Sequence, residues 1–179
     1  MIQYWINKIN NKFYLIIIGL SILTSIYGLY NTYKNHDDLI FQISTSIFMF
    51  FGLLLILKHS KLIYETKFIR IIYFLLGIQV IGTIIKIQHY PGSRIFYMIS
   101  SLGFIVTYLY RYIKKENKIL LDNIKVIWVI IYFSSIILIN LSINFGDNLN
   151  EIGFIIFIIM FIQFMIDNRK LIQFKKNIE

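Results

Sequence analysis

Six apolar runs, each long enough to cross roughly 30 Å of hydrocarbon as a helix, divide this chain. They fall at 13–30, 39–57, 68–87, 95–113, 124–143 and 150–166. None alternates polar and apolar residues as a barrel strand does. Backbone groups in lipid must then be satisfied within each run, which dictates helix. The expected fold class is all-α: a polytopic membrane protein with six transmembrane helices in one integral membrane domain over 1–179. The sixth run is the shortest and has to borrow Asn150 and Glu151 at its mouth.

A hydrophobic share of 58% in 179 residues exceeds what one soluble core can bury, so bilayer is the natural solvent. The chain has no Ala and is rich in Ile, Asn, Lys, Phe and Tyr, a bias that fits AT-rich codons. Absence of Cys removes disulfides and thiolate metal sites. The opening segment places Lys8 and Lys12 before an apolar run, as a signal peptide does. That run is long and no small-x-small cleavage site follows, so it reads as a retained anchor.

Orientation follows from Lys and Arg. Lys8, Lys12, Lys58, Lys61, Lys67, Arg70, Arg111, Lys114, Lys115, Lys118, Lys125, Arg169, Lys170, Lys175 and Lys176 fall on one side. Lys34, Lys86 and Arg94 fall on the other. Fifteen of the 18 cations on one side place both termini in the cytoplasm of a bacterial inner membrane. The net charge of +9 is then a topology signal with attraction to anionic headgroups, and nucleic acid is not an expected partner.

The helices pair into hairpins whose outer loops centre near His36, His89 and Asp147, 53 and 58 residues apart. "YGLYNTYKNHDDLIF" and "IGTIIKIQHYPGSRIF" share Gly, then Lys, then His, then Ile-Phe at the next helix. "INLSINFGDNLNEIGF" keeps the spacing without Lys or His. Either a tandem repeat of three hairpins or chance alignment of apolar residues accounts for this.

Polar residues inside the runs form stripes at helical spacing. These are Ser21, Thr24, Ser25 and Gly28; Gln79, Gly82, Thr83 and Lys86; and Ser100, Gly103 and Thr107. Helix packing is the preferred reading, because small residues let backbones approach and hydroxyls bond across the seam. A solute path is the competing one. No stripe holds a carboxylate: the acids are Asp37, Asp38, Asp147 and Glu151 outside, and Glu65, Glu116, Asp122, Asp167 and Glu179 inside. Ion-coupled transport ordinarily places an ionisable group or a broken helix near the midplane. His36, Asp37 and His89 are acceptable metal ligands without a ligand spacing, and no nucleophile–base–acid set is legible. No catalytic residue, metal or cofactor is therefore expected.

The outer loop "KIQHYPGSR" concentrates polar chemistry and the only Pro. Pro91 pushes Tyr90 out of the helical region, and Gly92 supplies positive φ for a tight turn. Lys86 suits the negative helix end, while Tyr90 and Tyr97 are interfacial anchors. The candidate binding residues are Lys86, His89, Tyr90, Pro91, Gly92 and Arg94 in this loop, with Gln79 and Thr83 on the stripe below.

Lys86, Ile87, His89, Pro91 and Gly92 form a Lys-Ile-x-His-x-Pro-Gly run between two helices. This resembles the transmembrane hairpin of the GldL/PorL family, the inner-membrane stator of the gliding and type IX secretion motor in Bacteroidota. The resemblance covers about 68–113 and implies a periplasmic turn with cytoplasmic termini. That family's second helix carries an acid thought to act in proton flow; 95–113 has none, and four further apolar runs are present. The resemblance therefore implies the hairpin and not motor activity. The expected function is a non-enzymatic inner-membrane scaffold or accessory subunit, held in the lipid bilayer against another membrane protein or a second copy. A small-solute transporter or channel is the alternative, and a membrane immunity or defence protein a further one.

Overall fold

A computed structural model of the chain describes residues 10–35, 39–59 and 66–168. Within them are six helices: α1 (Asn11–Asn35), α2 (Leu39–His59), α3 (Thr66–Ile87), α4 (Ser93–Lys114), α5 (Leu120–Asn140) and α6 (Phe145–Asp167). They pair as three hairpins, α1 with α2, α3 with α4 and α5 with α6, and α4 also packs on α5. The chain divides into two compact units, one holding α1 and α2 and the other α3 to α6.

Five helices, α1, α2, α3, α5 and α6, are long and apolar enough to cross a membrane. The helix expected at 95–113 is present as α4, but it is less apolar than the others, with two Arg, four Tyr and a Ser-Ser pair along it. Its polar centre is enclosed by protein: Ser100 and Ser101 are fully buried. Phe104 stacks on Phe133 of α5 at 4.5 Å, and Phe68 of α3 lies 6.0 Å from Tyr110.

The first unit closes along the expected seam. Ser25 Oγ donates to Ser44 Oγ across it at 2.9 Å. Nearer the loop, a Cβ on Gly28 would stand 2.7 Å from the Phe41 backbone nitrogen. At the opposite end Tyr14, 1% exposed, lies beneath the Lys58 ammonium, and His59 bonds Asn11.

Each hairpin of the second unit also crosses at a glycine close to its turn. A Cβ on Gly82 would meet Phe96 Cβ at 3.0 Å, and one on Gly146 would meet the Ile139 nitrogen at 2.7 Å. The shared Gly…Ile-Phe pattern of the first two hairpins thus has a physical content. In both, the glycine packs on the Ile-Phe segment that opens the next helix.

The two described turns of this unit share one backbone solution. The Tyr90 N–H donates to Ile85 O and the His89 N–H to Lys86 O, both at 3.1 Å, with His89 at φ 57°. The Ile143 N–H donates to Leu138 O and the Ser142 N–H to Ile139 O, both at 3.0 Å, with Ser142 at φ 61°. Each is a Schellman cap whose left-handed residue is not glycine. The α3 helix therefore stops before Pro91 requires it to, and Gly92, at φ 103°, opens α4 as the turn chemistry predicts.

Three boundary expectations change. Segment 145–148 is the first turn of α6 and not a loop, so α6 runs 23 residues and is not the shortest helix. The loop lies at 141–144 instead. Its centre at Ser142 falls 53 residues after His89, matching the 53 from His36, which lies outside the described residues. Finally, α5 starts at Leu120 because the Asp122 carboxylate accepts the Ile119 N–H at 3.0 Å, capping the first turn. Lys125, at the edge of the run expected from 124, consequently lies in the second turn of the helix.

Candidate functional site

The residues singled out in sequence occupy the α3–α4 turn and the face of α3 below it. His89, Tyr90, Pro91, Gly92 and Arg94 are exposed around the turn. His89 acts there through its backbone, as the left-handed residue of the cap. Below, the Thr83 hydroxyl donates to Gln79 O at 3.0 Å and accepts from the Tyr97 hydroxyl at 3.0 Å. Lys86 Nζ lies 5.8 Å from the centroid of the Tyr97 ring, a cation–π distance. One α4 side chain thus gathers Thr83 and Lys86, while Gly82 lets the helices approach at that level. Tyr97, expected only as an interfacial anchor, is the organising residue. Its position one turn after Pro-Gly and its facing a Thr-Lys pair are the signals that identify it.

The other stripes are used similarly. Ser21 Oγ donates to Ile18 O, Ser25 Oγ bridges to Ser44, and Ser100 Oγ donates to Tyr97 O. Ser101 Oγ is buried with no hydrogen-bond partner among the described residues. Of the suggested metal-ligand set, His36 and Asp37 lie outside the described residues. Among those described, no group of three His, Cys, Asp or Glu is placed to hold an ion.

A second cluster lies at the opposite end of the same unit, where α4 turns into α5. Lys115 Nζ pairs with Asp122 at 2.5 Å. Tyr112 donates to Asn123 Oδ1 at 2.8 Å, fastening the turn. The Arg111 guanidinium lies over Phe68, 5.8 Å from the ring centroid. Lys125 is 9% exposed and makes no hydrogen bond or ion pair with a described residue. The charged groups near enough to act on it are Asp122, Lys115, Arg111 and Asp167. Sequence reasoning missed this corner by counting Lys125 only as a topology cation at the edge of its run. The signal available was its place in "NIKVIWVI", three residues after a capping Asp and enclosed by apolar neighbours.

Five helices apolar enough for lipid, paired into hairpins with short turns, define a polytopic helical membrane protein. No family model, curated protein or solved structure matches the chain.

Proposed function

We propose that this protein is a non-enzymatic scaffold or accessory subunit of the bacterial inner membrane, with both termini cytoplasmic and its hairpins packed against another membrane protein or a second copy. The observation that supports this reading is the use made of the polar stripes. The hydroxyls of Ser21, Thr24, Ser25, Thr83 and Ser100 bond backbone carbonyls of their own helices or a partner hydroxyl within the same hairpin, as Thr83 with Tyr97 and Ser25 with Ser44. Such groups tie helices together and offer little to a passing solute. The recurrent glycine crossing and the 53-residue spacing support a hairpin unit used repeatedly. The likeness of 68–113 to the stator hairpin is proposed here as a likeness of architecture, without motor activity.

Purification in a gentle detergent, followed by mass analysis, tests the proposal. A co-purifying membrane protein at fixed stoichiometry, or a defined homo-oligomer, is the expected result. A monomer that retains a defined small solute would overturn it in favour of transport.

A further inference from the structure

Along α4 the apolar side chains lie on the outside. Ile95, Ile99, Leu102, Val106, Tyr110 and Ile113 recur at helical spacing and are all exposed, whereas Ser100 and Ser101 are buried. A helix facing water has the reverse arrangement, so this stripe suits lipid. It does not stop where the helix does. Ile113 is 72% exposed, and Ile119 and Leu120, where α5 begins, are 53% and 60% exposed. The Asp122 carboxylate caps the Ile119 N–H and so fixes these two residues at the mouth of α5.

Cations are interleaved with these side chains. Lys114 Nζ lies 4.6 Å from the centroid of the Tyr110 ring, and Lys118 Nζ lies 4.6 Å from that of Tyr112. Both lysines are exposed, and neither forms an ion pair with a described residue. Lys115 differs, being paired with Asp122, and Glu116 is the one acid between Tyr110 and Leu120. A ring contact holds a long, flexible side chain in place, so less entropy is lost when its ammonium meets an anion. Exposed apolar side chains beside unpaired ammoniums make an interfacial surface. The apolar groups enter the acyl boundary while the ammoniums reach up to phosphate.

We propose that the α4–α5 connection is a docking surface for anionic phospholipid, in which Ile113, Ile119 and Leu120 enter the acyl boundary and Lys114 and Lys118 engage headgroup phosphates. Lipid, and not an acidic protein, is the occupant because the surface continues the apolar stripe of α4. On the proposed orientation this end meets the cytoplasmic leaflet, where anionic lipid is concentrated. Headgroup preference is independent of sidedness and of the scaffold reading, so either can fail without the other.

The test uses the full chain purified in a neutral detergent and mixed with micelles carrying phosphatidylglycerol or phosphatidylcholine. Native mass spectrometry reads the lipid retained, and thermal unfolding checks the fold. The wild type should retain phosphatidylglycerol in preference to phosphatidylcholine. Lys114→Gln and Lys118→Gln should each cut that preference about fivefold, and the double variant about twentyfold or more. Both positions are exposed, so the fold should persist. Ile113→Ser should weaken the two lipids alike, because it removes apolar contact and no charge. Lys34→Gln, at an exposed cation ending α1, should leave the preference unchanged. Equal retention of the two lipids by the wild type overturns the proposal even if a variant fails to fold. So does an unchanged preference in the folded double variant, or an equal loss in Lys34→Gln. Binding of polyglutamate through the same lysines, with no preference between the lipids, would assign the surface to an acidic protein instead.

Discussion

His89 and Ser142 each hold a left-handed backbone that a side chain makes costly, about 1–2 kcal/mol relative to glycine in that region. Glycine would remove that strain while adding about 0.5–1 kcal/mol of chain entropy to be lost on folding. His89→Gly and Ser142→Gly should therefore each stabilise the protein by about 0.5–1 kcal/mol. His89→Val should destabilise it, because a β-branched residue resists positive φ. Unfolding in detergent checks this, and equal midpoints for His89→Gly and His89→Val would show that the cap contributes nothing. The Tyr97 cluster makes a second residue-level demand. Tyr97→Phe removes the donor to Thr83 and should cost about 0.5–1.5 kcal/mol. Lys86→Gln loses a favourable charge at the end of α3 and a cation–π contact, and should cost about 0.3–1 kcal/mol while leaving the protein folded. Loss of uptake of a defined anion in proteoliposomes by a folded Lys86→Gln protein would instead make this face a solute path.

At the scale of helices, the glycines divide by what stands opposite them. A Cβ at Gly28 or Gly146 would run into neighbouring backbone at 2.7 Å, whereas Gly19 and Gly77 have nothing within 4 Å. Gly28→Ala and Gly146→Ala should each cost about 1–3 kcal/mol by forcing a hairpin apart. Gly19→Ala and Gly77→Ala should gain about 0.5–1 kcal/mol through helix propensity. Matching shifts in all four variants would mean that close crossings do not hold the hairpins. The same contrast explains which helix ends were legible. Long apolar runs located all six helices, because lipid-length periodicity is a strong signal. The start of α6 was not legible: "NFGDN" has turn composition, and only the packing of Gly146 on Ile139 draws it into the helix. The start of α5 was missed for the opposite reason. Charge at Asp122 reads as loop and Lys125 as the edge of the run, yet one residue caps the helix and the other is buried in it. Candidate site residues were legible where a turn exposes them, at His89 to Gly92. The inner corner depends on α4, α5 and the end of α6 meeting, which no local pattern encodes.

For the whole molecule, the question is how a helix with the polarity of α4 sits among apolar ones. The turn at 88–92 folds α4 back along α3, and Phe104 stacks on Phe133 within α5, so α4 shares the depth of two neighbours that are apolar enough for lipid. Its least apolar stretch, Ser100 and Ser101, contacts protein and not lipid, which relieves it of the composition that a lipid-facing span must have. On the proposed topology such a helix would cross the bilayer despite its lower hydropathy. The proposed placement of Lys and Arg implies the same crossing, because Arg94 lies at one end of α4 and Arg111, Lys114, Lys115 and Lys118 cluster at the other. The absence of Cys makes the labelling experiment clean. Single-Cys variants at Ser93 and Asn144 should react with an impermeant thiol reagent in intact cells, and those at Asn117 and Asn177 only after permeabilisation. Ser93 and Asn117 bracket α4, so opposite labelling of this pair demonstrates the crossing directly. Labelling of both in intact cells would place α4 along one surface, leaving five spans and putting the two termini on opposite sides of the membrane.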